Sequence, residues 1–206
     1  KVLRELQVLS LKTHKKLIKK TKSNNNIEEP GWLKLFKTQL SYEKYSYELD
    51  VLDKNKAEYT LLNTEEIKKK FPDLQIEYYK GVLFKNSLRV KSPIKLSKTY
   101  FKHFIKSGGS FYKDICKDIK FLNGHWTVFL NKKKEIFDEV VICTGPWSKD
   151  FLDNLGYKIP LAWERGYHHH FSTKKDVDLS PAIHDVDGGF VYSCNKNEIR
   201  VTSGVE

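Results

Sequence analysis

Arg165, Tyr167 and His168 bring a guanidinium, a phenol and an imidazole together within four residues. An Arg or Tyr can hold a carboxylate through charge-assisted hydrogen bonds, and a His can tune or relay protons near neutral pH. A structural role is also open, with Glu164 and Arg165 paired at a crossover between domains and Tyr167 in the core. The run of histidines at 168–170 invites a metal reading. On a strand only His168 and His170 share a face, and His184 or Asp185 would have to complete the set, so no metal is expected.

Positioning such groups requires elements on either side, and the preceding stretch supplies one. Residues 140–143 (VVIC) are β-favouring or apolar on both faces and too few for a buried helix, so they predict a central parallel strand. Thr144 and Gly145 break it. Pro146 suits the first turn of a helix that residues 147–155 would continue. A strand, a glycine and a helix start form a crevice that favours an anion or an oxygen-rich ligand, which makes this a candidate nucleotide site. No hydrolytic or phosphate-cradling motif competes: there is no G-x-S-x-G, H-E-x-x-H or Walker loop.

The segment VVICTGPWS resembles a segment of the FAD-dependent amino-acid oxidoreductases, the family of D-amino-acid oxidases and dehydrogenases, glycine oxidase and sarcosine oxidase. ERGYH, at 164–168, after a G-x-x-x-P link, is similar to the D-amino-acid dehydrogenase branch. GWLKLFK, LLNTEEIKKKFPDL, Ser92-Pro93 and GGFVYSCNKNEIRVTSGVE follow in family order, so the resemblance covers nearly the whole chain. It implies FAD as cofactor and an amino acid or related amine as substrate. Hydride would pass from the substrate Cα–H to the flavin, leaving an imine that water hydrolyses. The electron acceptor, oxygen or a membrane quinone carrier, is left open.

The resemblance also assigns residues. Adenine would be met by the strand after Gly108-Gly109, where the backbone near Cys116 takes the place of the usual valine; Cys116 could equally be a plain strand residue. Thr144 and Gly145 would approach the cofactor, with Trp147 beside them or filling the gap between sheet and helix. Pro146 stands where relatives usually carry Ala, which removes one backbone donor. Arg165, Tyr167 and His168 would face the substrate. The implied fold is α/β plus α+β: an incomplete Rossmann-like FAD-binding domain (1–27 and 90–158) interleaved with an antiparallel-sheet substrate domain (28–89 and 159–206). The family's opening G-x-G-x-x-G turn is not in these 206 residues. With Lys at position 1 and no Met anywhere, the expectation is a middle piece of a longer enzyme.

The net charge of +11 rests on lysine, since Arg occurs only at 4, 89, 165 and 200. A nucleic-acid binder would be expected to use more Arg for bidentate contacts, so no nucleic-acid partner is expected. The alternative function is a lysine-rich, non-catalytic binding module or an inactive fragment. Cys116, Cys143 and Cys194, odd in number and inside predicted strands, suggest reduced core residues and a cytoplasmic setting.

Helical spacing predicts an amphipathic helix over 2–22 whose basic side is a solvated face or a peripheral membrane contact. A polar linker follows at 23–30. Strands are expected at 32–36, 58–62 and 78–84, and helices at 42–52 and after an Asn63 or Thr64 cap. Ser92-Pro93 should open a helix burying Ile94, Leu96, Tyr100, Phe101, Phe104 and Ile105. Asn123-Gly124 should turn a hairpin between 111–122 and 125–130, and 135–143 should return as a strand. The last strands are expected at 168–171, 189–194 and 198–203, with a turn at 195–197.

Overall fold

A computed structural model of the protein describes residues 2–174, 177, 180–195 and 197–206. The elements run α1 (Val2–Lys20), β1 (Ile27–Glu28), β2 (Trp32–Phe36), α2 (Gln39–Glu43), α3 (Ser46–Lys54), β3 (Tyr59–Asn63), α4 (Thr64–Lys70), β4 (Lys80–Phe84), β5 (Arg89–Val90) and α5 (Pro93–Lys106). There follow β6 (Cys116–Leu122), β7 (His125–Leu130), β8 (Lys134–Phe137), α6 (Ser148–Asn154), β9 (Gly166–Ser172), β10 (Ala182–Asp185), β11 (Phe190–Asn195) and β12 (Glu198–Val205). Two compact units result: Lys1–Ser107 with Gly166–Glu206, and Gly108–Arg165.

The first unit is built on a seven-stranded sheet of order β3-β4-β2-β10-β11-β12-β9. Every neighbouring pair is antiparallel except β2 and β10, which run parallel with Leu33 opposite Ile183 and Leu35 opposite Asp185. The expected all-antiparallel layer is therefore a mixed one. The sequence reading lacked β10, whose four residues, AIHD, offer no apolar alternation, yet it fills the sheet's centre. On one face Leu33, Leu35, Ile67, Phe71, Leu83 and Ile183 form the core, with α4 laid over it. Asn63 caps α4 by accepting from the Glu66 backbone N–H at 2.9 Å, while the Glu66 side chain accepts from the Asn63 N–H at 2.8 Å.

Several expectations needed correction. The helix expected at 42–52 is two, broken at Tyr45, whose ring turns onto Phe36 at 5.1 Å with the Lys34 ammonium 4.4 Å from its centre. In the linker, Ile27–Glu28 pairs with β5, tied by Glu28 to Arg89 and to Lys91. α5 starts as expected, the Ser92 hydroxyl accepting from the Lys95 N–H, but of its expected stripe only Leu96 is buried and Tyr100 half-buried. Ile94, Phe101, Phe104 and Ile105 stay exposed. Of the turn at 195–197, Lys196 lies outside the described residues.

The second unit is a three-stranded antiparallel sheet, β6-β7-β8, followed by a 3-10 turn, Gly145–Trp147, that runs into α6. Asn123 and Gly124 turn its hairpin with φ of 52° and 81°, as their sequence predicts. Residues 111–115 do not join β6. Nor do residues 140–143 form the expected strand: a strand exists only with a neighbour, and no described strand pairs with this segment. Val141 is 82% exposed and Cys143 exposed, so the expectation of three core cysteines holds only for Cys194, with Cys116 half-buried.

Candidate functional site

Strand alternation and register fix which side chains share a face of the seven-stranded sheet. Opposite the core, one row crosses five strands: Lys34 on β2, His184 on β10, Val191 on β11, Thr202 on β12 and His168 on β9. Beside it runs a second row, Ser193, Arg200 and His170. At the Phe36 end Tyr42 and Tyr45 cover this face with their rings, and toward β9 it opens, so that Arg200, His168 and His170 are exposed. Hydroxyl, imidazole and guanidinium groups lie side by side there, a donor-rich surface suited to an anionic ligand.

His184 lies against Trp32, ring centres 6.2 Å apart. Burial, and secondarily the nearby Lys34 charge, lower its pKa below the ordinary histidine value, so it is neutral at pH 7. His170 is paired through Nδ1 with the carboxylate of Glu198 on the same face. The metal reading fails on spacing: β11 and β12 lie between His184 and His168, so they stand roughly 14 Å apart at about 4.8 Å per strand. No group of potential ligands able to hold a metal occurs among the described residues.

The opposite face carries a buried charge. Asp185, 1% exposed, accepts from the Lys37 ammonium at 2.8 Å, the Tyr78 hydroxyl at 3.2 Å and the Gly188 N–H at 2.8 Å. The hydrogen bond to Asp185 raises the Lys37 pKa, and burial followed by Asp185 pushes the Tyr78 phenol well above its ordinary range. Asp187 then accepts from the Lys37 backbone N–H at 2.8 Å and the Ser41 hydroxyl at 2.9 Å, fastening β10's exit to β2's. A cavity of about 340 Å³ lies on this side, lined among others by Leu74, Tyr78, Phe171, Tyr192, Ile199 and Val201.

Of the residues singled out in the sequence, Tyr167 and His168 fall on β9 of the first unit, while Arg165 ends the second. Being adjacent on a strand, Tyr167 and His168 point to opposite faces, and the Tyr167 hydroxyl is bonded to Glu206. Only His168 joins the donor-rich face. Sequence reasoning did not single out Lys34, Ser193, Arg200 and Thr202 as partners of that face. The signal was there: in LKL and IRV a cation sits between two apolar residues, at period two.

The residues assigned to the cofactor all lie in the second unit. Gly145 has φ +60°, and a Cβ built on it would meet nothing within 4 Å, so its backbone is both left-handed and open to close approach. Thr144 and Ser148 hydroxyls lie 3.0 Å apart beside it, and Trp147 stands edge-on to Trp163 with ring centres at 4.7 Å. Cys116 begins β6 with its thiol 3.7 Å from the Asp118 carbonyl, and burial raises its pKa, so its thiol is a poor nucleophile. An open left-handed glycine flanked by the Thr144 and Ser148 hydroxyls leaves room for backbone and hydroxyl contacts to a ligand.

Comparison with known proteins supplies the wider context. The family model described as FAD dependent oxidoreductase matches residues 2–205. A D-amino-acid oxidase of Bradyrhizobium diazoefficiens is 28% identical over 108 residues, which are 52% of this chain and 26% of that protein. Among solved structures, glycine oxidase from Geobacillus kaustophilus superposes with a TM-score of 0.85 at 13% identity, covering 98% of this chain and 55% of that one. Glycine oxidase from Bacillus cereus gives 0.80 at 20% identity, covering 99% and 56%. The chain thus spans about half the length of these solved relatives, and at such identities the likeness is one of fold.

Proposed function

We propose an FAD-dependent oxidation of an amino acid or related amine for this chain, which belongs to the FAD-dependent oxidoreductase family. The observation that carries the substrate half of this reading is the exposed end of that face, where Arg200 and Thr202 on β12 neighbour His168 on β9. Arg200, with no carboxylate partner among the described residues, holds the substrate carboxylate by charge-assisted hydrogen bonds, and the Thr202 hydroxyl and His168 orient what is attached to it. His184, kept neutral by burial three strands from His168, adds no charge to that end of the face.

The cofactor half rests on residues 144–148 and on the family. Gly145 and Thr144 meet the dinucleotide through backbone and hydroxyl, the backbone near Cys116 meets its adenine, and Trp147 shields it from water. When bound, FAD supplies the two-electron acceptor for hydride leaving the substrate Cα as the C–N bond is oxidised to an imine, which water hydrolyses. In this reading 1–27 and 90–158 serve the cofactor and 28–89 and 159–206 the substrate. The D-amino-acid dehydrogenase branch is favoured by ERGYH at 164–168.

The test is anaerobic titration of the protein expressed from its whole gene with amino acids and N-methyl or cyclic amines, following flavin absorbance. Reduction of bound flavin by one of these classes is expected. A protein that carries no flavin, or flavin that none of them reduces, overturns the reading. Gly145→Val is expected to cost at least about tenfold in FAD affinity, since a β-branched residue at positive φ is strained and its side chain would occupy the open space. Stoichiometric flavin in that variant would reduce Gly145 to a turn residue.

A further inference from the structure

We propose that the open face of the seven-stranded sheet selects amines bearing two carboxylates, such as an acidic amino acid or an N-carboxymethyl amino acid, over monocarboxylates. The inference rests on the reading of that face as the substrate side.

Charge on the face is lopsided. On strands β10, β11, β12 and β9 the ionisable groups of this face are His184, Arg200, His168 and His170 against one carboxylate, Glu198, and that carboxylate is held by His170. Asp185, the neighbour of His184, points to the other face and is satisfied there by Lys37, Tyr78 and the Gly188 N–H. Arg200 has no carboxylate partner among the described residues, while Lys34 lies three strands away over the Tyr45 ring. A substrate with a single carboxylate compensates Arg200 and leaves His168 facing its side chain. A second carboxylate removes that mismatch.

Spacing supports the same conclusion. Thr202 stands opposite His168 and Arg200 opposite His170, so Arg200 and His168 are diagonal neighbours, roughly 7–8 Å apart at their bases. An imidazole donates an N–H in either charge state, so His168 serves as a second anchor beside the fixed guanidinium. A short diacid spans such a pair with one carboxylate on each anchor, and the Thr202 and Ser193 hydroxyls lie alongside for its amine or remaining oxygens. The apolar cavity that would welcome a large aliphatic or aromatic side chain is on the other face, lined by Phe171, Ile199 and Val201, which alternate with these anchors.

The experiment uses the whole-gene protein with its flavin bound. Rates of flavin reduction are measured for aspartate, glutamate and iminodiacetate against alanine, valine, glycine and proline, both enantiomers where they exist. Independently, succinate and propionate are titrated as inert probes by calorimetry. A preference for diacids of roughly 10- to 100-fold in kcat/KM is expected, one charge-assisted hydrogen bond being worth about that. Succinate should bind at least about tenfold tighter than propionate. His168→Gln should narrow the diacid-to-monoacid ratio by about tenfold through KM, with flavin content unchanged. Equal or faster reduction by alanine, valine or proline, with propionate binding as well as succinate, overturns the inference and leaves amino-acid oxidation standing. Flavin that no amine reduces overturns both.

Discussion

The two compact units differ in how they are held together. Residues Lys1–Ser107 with Gly166–Glu206 bury Leu33, Leu35, Phe36, Ile67, Val82 and Ile183 almost completely, whereas in Gly108–Arg165 only Ile119 and Thr127 are buried among the described residues. Strand pairing alone does not explain this, since both contain a hydrogen-bonded sheet. One sheet has a helix on it and the other leaves Phe121, Leu122, Ile136 and Phe137 exposed. Hydrogen-bonded ladders set shape, but apolar burial sets stability. The first unit should thus behave as a folding core and the second as a marginal one.

Ile183→Ala is the severest test of that contrast. Ile183 is fully buried at the sheet's centre, so the variant should lose about 2–5 kcal/mol, read as a lower urea midpoint of the first unit. A loss below about 1 kcal/mol would mean that the centre can collapse around the gap and is no rigid core. Asp185→Leu comes next, at about 2 kcal/mol. It strands the Gly188 N–H and the Tyr78 hydroxyl, while Lys37, about a third exposed, regains water. No change in midpoint would show that the polar cluster is dispensable.

In the second unit Ile119→Ala should cost no more than about 2 kcal/mol, the low end for such a change, because its surroundings are already open. Amide hydrogen exchange in β6–β8 should correspondingly outpace that in β2 and β10. Equal protection in both sheets would erase the contrast. The smallest effect belongs to His184. Its folded pKa lies below the ordinary value of 6.5, so the unfolded chain takes up a proton first. Its contribution to stability is whole above pH 6.5 and is lost as pH falls through the depressed folded value; in His184→Gln that dependence should shrink.

Most of the fold was legible in the sequence, for local reasons. Ser92-Pro93, Asn63 with Glu66, and Asn123-Gly124 specify their helix starts and turn by short-range chemistry, and each is found in place. β10 and residues 140–143 went the other way, because strand identity depends on partners far along the chain. AIHD becomes a central strand through β2 and β11, and VVIC, with the better strand composition, is none without a neighbour. The same holds for the site. His168 could be named from a motif, whereas its companions Arg200 and Lys34 become visible only once five strands are placed in register.

The pairing of β2 with β10 has a consequence for synthesis. Lys37 and Asp187, joined at the end of this pair, are 150 residues apart in the chain. At roughly 5–20 residues per second, a ribosome that has finished β2 needs on the order of ten to thirty seconds to deliver its partner. Once β4 has followed, β2 and β4 can pair, yet the other backbone edge of β2 stays open to any strand nearby until β10 arrives. The residues of the second unit are made entirely within this wait. On polysomes, the nascent protein should therefore be most prone to chaperone capture between completion of β2 and emergence of β10.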